Sequence, residues 1–332
     1  MNPSHSSAPA TSALQFIASF RQTNLPLTIL AAITGSTLMV SILGLIFDPR
    51  ATAIINTPAW SKLFKFSVSI LLMTPALIWA IKITEGKTRR TANIAASVIG
   101  TMLSLEMILL LIQATRARPM HFNYTTPLDS VLWIIMTVGI FTMFAAFVVL
   151  LVAVWRGVRQ QPVIAWAVKI GMVITAVGLM TPNLSAGPND TQLKAIAAKQ
   201  PNILLGAHTI GSSSAIPDAE PGLPLIGWNT KHGDIRIGHF IGLHALQLIP
   251  LLGVWLSKRR RLNQNRQLAL LWTAGLGYFG LMLLTTWQAL RGQSIVSPDA
   301  LTINVAIALA SVVLLSSLIA VIPALSRPRT MA

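Results

Sequence analysis

Glu106, Gln113 and Arg116 lie seven and three residues apart on one apolar stretch. At about 100° per residue they share a helical face, with Glu106 about 10 Å from Gln113 along the axis. An ionisable group among apolar residues faces a bundle interior or a wet cavity, so the trio reads as a site for a ligand, a proton or a cation. The alternative is an interhelical hydrogen bond. Arg236, His239, His244 and Gln247 occupy a single arc of about 140° on a second stretch and read as a cavity lining. Gly242 beside them admits a close neighbour, either a helix or a ligand. Lys62, Lys65, Arg116, Arg118, His121, Asn123, Arg236 and Arg291 fall at the ends of apolar stretches. Such a ring of donors suits a phosphate, a carboxylate or a lipid headgroup. Asp48, Asp129, Asp234 and Asp299 lie at the same level and are the competing internal partners.

Other chemistries fare less well. The chain has no cysteine, which removes disulfides, thiolate metal sites and cysteine nucleophiles. A bis-histidine haem needs two ligands facing each other. Only His239 and His244 fall within apolar stretches, and they share one helix; His5, His121, His208 and His232 lie in loops or a tail. The two histidines are five residues apart and lack a carboxylate pattern such as HExxH. No Walker loop, GxGxxG or GxSxG elbow occurs; Gly211-Ser212-Ser213-Ser214 sits in loop-like sequence. No cofactor is therefore predicted, with haem or quinone as the alternative.

What positions these residues is a membrane bundle. Of 332 residues, 53% are hydrophobic and only 10% charged, against about 25% charged in a soluble domain. A helix needs about 20 apolar residues to cross hydrocarbon. Eight stretches qualify: 26–47, 63–83, 93–115, 131–155, 164–182, 237–256, 268–290 and 301–325. The expected fold is an all-α polytopic membrane helical bundle. Lys82, Lys87, Arg89, Arg90, Arg156, Arg159 and the run Lys258–Arg261 gather in alternate connections, while seven of the nine acids fall in the others. This asymmetry predicts cytoplasmic N- and C-termini. It also makes the net charge of +16 a set of topology anchors on anionic lipid, not a nucleic-acid surface. Lys169 is expected to snorkel to the inner interface. A polar tail, 1–25, precedes the first span, which is too long for a signal h-region; 51–53 resembles a cleavage site and leaves removal of that span as a minor alternative.

The spans fall into two sets of four. Lys62-x-x-Lys65-Phe66 and Arg236-x-x-His239-Phe240 open the second and sixth at an offset of 174 residues. Gln113-Ala-Thr-Arg116 and Gln288-Ala-Leu-Arg291 close the third and seventh at an offset of 175. Two ordered matches at nearly one offset predict a duplication, 26–155 and 164–325, with the outer loop 183–233 inside the second half and a basic tail at 326–332. An even number of spans per half makes the repeats parallel. The matched residues, Gln288 and Arg291 included, then meet at one level near the outer surface. The long loop is either a lid over them or a joint between halves.

Trp60-Ser-Lys62-Leu-Phe-Lys65-Phe66, Gln113-Ala-Thr-Arg116 with His121-Phe-Asn123, and Gly233-Asp-Ile-Arg236-x-x-His239-Phe-x-Gly-Leu-His244-Ala-Leu-Gln247 together resemble a family of bacterial multi-pass integral membrane proteins of no assigned function. The last motif is the most specific. Arg118-Pro119-Met120 departs from the glycine and serine more usual there before His-Phe-Asn. The resemblance implies a bacterial inner-membrane location and no particular activity. The eight-span layout is also similar to that of haem A synthase, without its paired histidines. The leading expectation is an outward-facing polar cavity between the repeats that binds or transports a small anionic or amphiphilic ligand, with Glu106 and His244 as a deeper titratable pair. The alternatives are a membrane oxidoreductase, or a lipid-modifying enzyme with His239 or His244 as general base.

Overall fold

The computed structural model describes residues 22–184 and 187–325, with side chains as far as residue 322. Most of the polar N-terminal tail, the basic C-terminal tail and two residues of the long loop lie outside the described residues. The elements are α1 (Leu25–Phe47), α2 (Ser61–Lys82), α3 (Gly86–Thr115), α4 (Pro127–Gly157), α5 (Pro162–Met180), the short α6 (Asp190–Ala197), α7 (Arg236–Ser257), α8 (Gln264–Leu290) and α9 (Ala300–Leu325). A two-stranded ribbon, β1 (Thr209–Ile210) with β2 (Gly233–Asp234), closes the long loop. Eight of the helices are long and apolar enough to cross a membrane, and the chain is an all-α, multi-pass membrane protein.

The helices overrun the apolar stretches. α3 and α4 have 30 and 31 residues, about 45 Å each, whereas hydrocarbon is about 30 Å thick. The surplus is polar: Lys87, Arg89 and Arg90 continue α3 beyond residue 93, because basic side chains with long stems are good helix formers. The starts of α1, α4 and α8 are capped by side chains. Asn24 accepts from the Leu27 amide and also donates to Ser97, fixing α1 against α3. Thr126 and Asn263 cap the starts of α4 and α8 in the same way.

Each group of four packs alike. In the first, α1 meets α2 and α3, α2 meets α3, and α3 meets α4; in the second, α5 meets α7 and α8, α7 meets α8, and α8 meets α9. The groups join through α4 against α5 and α2 against α7. Val168, Met172 and Leu246 belong to the larger apolar core and carry it across this seam. Pro75 inside α2 and Pro250 inside α7 are a further pair at an offset of 175. α9 rests on α8 and is otherwise largely exposed, as a lipid-facing helix is.

α5 and α7 approach each other closely enough for their backbones to touch. A Cβ on Gly178 would stand 2.6 Å from the Gly242 Cα, and one on Gly253 would stand 2.3 Å from the Ala167 Cβ. Thr175 donates to the Gly242 carbonyl across the same contact. Small residues replace hydrophobic driving force here by allowing this contact, because lipid tails are as apolar as leucine. Gly242→Val is therefore expected to destabilise the bundle by about 1–3 kcal/mol. Gly35 has nothing within 4 Å of a Cβ, and Gly35→Ala should be neutral or stabilising by up to about 1 kcal/mol. Denaturation in detergent micelles measures both, and the reverse order would refute the close contact.

Candidate functional site

At one end of the bundle, opposite the basic connections, the long loop folds over the starts of α2 and α7 and the connections from α3 to α4 and from α8 to α9. Two hydrogen-bonded knots stand there. In the first, the Gln113 amide donates to the Pro119 carbonyl and to Asp129, and Arg116 donates to both Gln113 and Asp129 at 2.5 and 2.6 Å. Asp129 is 0% exposed, so this pairing is what allows its burial. Asn123 donates to the same Pro119 carbonyl and accepts from Thr125. In the second knot, the Gln288 amide donates to the Ser294 carbonyl, and Arg291 pairs with Asp299 and donates to Thr302.

The two knots match residue for residue at an offset of 175: Gln113 with Gln288, Arg116 with Arg291, and the carbonyl acceptors at 119 and 294. The turn residues Ala117 and Gly292 are both left-handed, with φ of 51° and 71°. The following helix start is matched with its roles exchanged. Thr126 caps the amide of Asp129, whereas Asp299 caps the amide of Thr302, so alcohol and acid have traded places while the arginine still finds its carboxylate. In all these groups the hydrogen-bonding capacity goes into holding the turn between two helices.

Lys62, Lys65, Glu106, His121, Arg236 and His239 come together in a different way, beneath the long loop, which also supplies His208 and Asp218. Leu205 donates its amide to the Phe122 carbonyl and brings the loop onto the first group. The His208 ring then lies against His121, with His121 Nδ1 and His208 Nε2 3.1 Å apart. Nδ1 of His208 is 2.6 Å from Asp218. The Asp218 carboxylate also accepts from the amides of His208 and Thr209 and from the Thr209 hydroxyl. Burial pushes Asp218 up, but His208, Arg236 and these donors outweigh it and hold the carboxyl below the ordinary range. Burial lowers His208 despite Asp218, and lowers His121 well below an ordinary histidine, with Lys62 nearby adding to it. Both rings are therefore neutral at neutral pH.

Lys62 is within electrostatic reach of Glu106, Asp218 and Arg236, and His121 within reach of Lys62 and His239. Glu106 is only 2% exposed. Among the described residues, no hydrogen bond or ion pair reaches the Glu106 carboxyl, the Lys62 ammonium, or Nε2 of His121 and His239. His239 holds the Gly178 carbonyl with Nδ1 at 2.8 Å. Lys65 and Arg236 point elsewhere, donating to the carbonyls of Ile226 and Gly227 and so tying a hairpin of the long loop over the cluster. Arg236 is itself held by Asp234.

The remaining α7 residues stand apart. His244 packs on the ring of Phe240, and its Nε2 is buried without a partner. The Gln247 amide turns back to the carbonyls of Leu243 and His244. Two clefts of about 260 Å³ lie at the other end of the bundle, on α3 and α4, lined by Thr91, Val149 and, in one of them, Arg156. There too Lys169 sits over the rings of Trp155 and Trp166. Among the described residues, no three His, Asp or Glu side chains converge to hold a metal ion.

The neutral histidines give a pH dependence with a definite sign. A histidine lowered from 6.5 in the folded state binds fewer protons than its unfolded counterpart, so its contribution is intact above that value and is lost as pH falls through the window below it. Asp218, lowered from 3.8, contributes nothing to this window. The melting temperature should fall between about pH 7 and about pH 5, and less steeply in His121→Phe. A wild-type value that stays level or rises on acidification would contradict the neutral pair.

No protein-family model, no curated protein and no solved structure matches this chain.

Proposed function

We propose that the chain binds the anionic headgroup of a small or amphiphilic ligand in the cluster beneath the long loop, as a binding or transport protein of a bacterial inner membrane. The observation that carries this reading is the set of unsatisfied polar atoms on Lys62, Glu106, His121 and His239, which belong to three helices and one loop. Lys62, His121 and His239 are part-buried, so these atoms keep access from outside, and donors and acceptors that make no bond within the fold are free to make one to a ligand. Arg236 is paired with Asp234, and Asp218 is taken up by His208 and the loop amides, so Lys62 is the cation left to draw an anion. The tied hairpin closes the site from the aqueous side.

The matched knots, the shared packing order and the paired prolines support two parallel repeats. The gathering of Lys82, Lys87, Arg156 and Lys258–Arg261 at the opposite end supports cytoplasmic termini and a site that faces outward. A second reading, a lipid-modifying enzyme, draws support from the chain of Asp218, His208 and His121, whose last ring would act as general base in place of the His239 or His244 expected from the sequence.

Lipid binding is measurable as thermal stabilisation of the detergent-solubilised protein. Dioleoylphosphatidylglycerol should stabilise it where dioleoylphosphatidylcholine does not, by about 2.7 kcal/mol at a hundredfold excess over Kd. Lys62→Gln should lose the effect and Lys258→Gln should keep it. If both variants respond like wild type, the anion is not held by the cluster. Because the chain has no cysteine, orientation is read by single replacements. Leu225→Cys should react with an impermeant maleimide on intact cells, and Lys258→Cys only after permeabilisation; the opposite pattern would invert the topology.

A further inference from the structure

The hydrogen-bond directions in the cluster go further and specify what the ligand must offer; this step rests on the ligand site proposed above. A carboxylate only accepts, so Nδ1 of His208 is the donor to Asp218. The other nitrogen of that neutral ring is then an acceptor, and it takes the Nδ1 proton of His121 at 3.1 Å. The chain ends at Nε2 of His121, which is left as a bare lone pair. His239 is fixed by a separate contact to the same result. The Gly178 carbonyl only accepts, so Nδ1 of His239 donates, and a neutral ring so held also presents a lone pair at Nε2. Lys62, by contrast, has three hydrogens to donate and nothing with which to accept.

The cluster thus offers two fixed acceptors beside a cationic donor. We propose that it recognises a phosphate ester carrying free hydroxyl groups, of the glycerophosphate kind, with Lys62 on a phosphate oxygen and Nε2 of His121 and His239 accepting from the hydroxyls. A choline headgroup has no hydrogen to give to either histidine. An ammonium headgroup has hydrogens but meets Lys62, Lys65 and Arg236 at close quarters. A phosphate with only an alkyl substituent satisfies Lys62 and leaves both lone pairs unmet. Once a ligand excludes water from the site, the asymmetry between an unmade and a made hydrogen bond turns this into selectivity.

The test compares two lipids of equal charge, dioleoylphosphatidylglycerol and dioleoylphosphatidylmethanol, titrated into the full-length protein in detergent with thermal stabilisation as the readout. Free glycerol 3-phosphate and methyl phosphate form a parallel pair that distinguishes a soluble ligand from a lipid. Wild type should favour the hydroxylated member of at least one pair by about tenfold, the equivalent of a single well-made hydrogen bond. His121→Phe suits the site, because His121 already lies among the rings of Phe66, Phe122 and Trp133. It should bring the ratio towards one while leaving the methyl ester bound as before, and Lys62→Gln should lose both members. Equal binding of the two members by wild type would overturn the hydroxyl selectivity and leave the anion site standing. Failure of every ligand to bind would overturn both. A ratio unchanged in His121→Phe and in His239→Leu would remove the histidines from recognition.

Discussion

Hydrocarbon offers no hydrogen bond, and the architecture follows from that constraint. Helices meet it along their length by satisfying their own backbone, but their ends and connections cannot do so. At the loop-rich end, the last carbonyls of α3 and α8 are taken up by amides of the left-handed turns. Gln113 and Gln288 take up the carbonyls of Pro119 and Ser294 in those turns, and an arginine takes up the acid at the next helix start. Both knots close an open helix end, and the first also neutralises a charge, on Asp129, that burial would otherwise expel.

The exchange of Thr126 and Asp129 for Asp299 and Thr302 shows which part of this solution is constrained. A cap can be an alcohol or an acid, and the third residue of the helix can be the other, provided the pair together supplies one acceptor for the amide and one carboxylate for the arginine. Capping chemistry tolerates the swap because the requirement is a balance of donors, acceptors and charge across the turn, not a particular residue at a particular place.

How much of this was legible in the sequence depends on the kind of signal. The eight helices are plain, because an apolar run of twenty or more residues has few other uses. The pairs Gln113 with Arg116 and Gln288 with Arg291 stand out by spacing, yet spacing cannot separate a side chain turned to a ligand from one turned to its own turn. Glu106 and His239 lie on helix faces and are found by periodicity, and Lys62 is found by its motif at a helix start. His208 and Asp218 are not: they sit in a Gly-, Pro- and Ser-rich segment, with His208 87 residues beyond His121, where nothing periodic marks their destination. Two histidines and an acid of loop sequence were the available signal, and it is the docking of the loop, Leu205 on Phe122 included, that makes them neighbours. The Gly178 and Gly242 contact is similarly silent, because a glycine in a membrane helix announces a close approach without naming its partner.

The long loop belongs in sequence to the second set of helices, yet it lays His208 against His121 and clasps Lys65 of the first set through Ile226. Its acidic and imidazole groups are thus contributed by one half and completed by the other. A solitary four-helix unit of either kind would own only a fragment of the chemistry, even if it inserted and packed without fault. Whatever the cluster does is a property of both sets of helices held together, and neither set carries it alone.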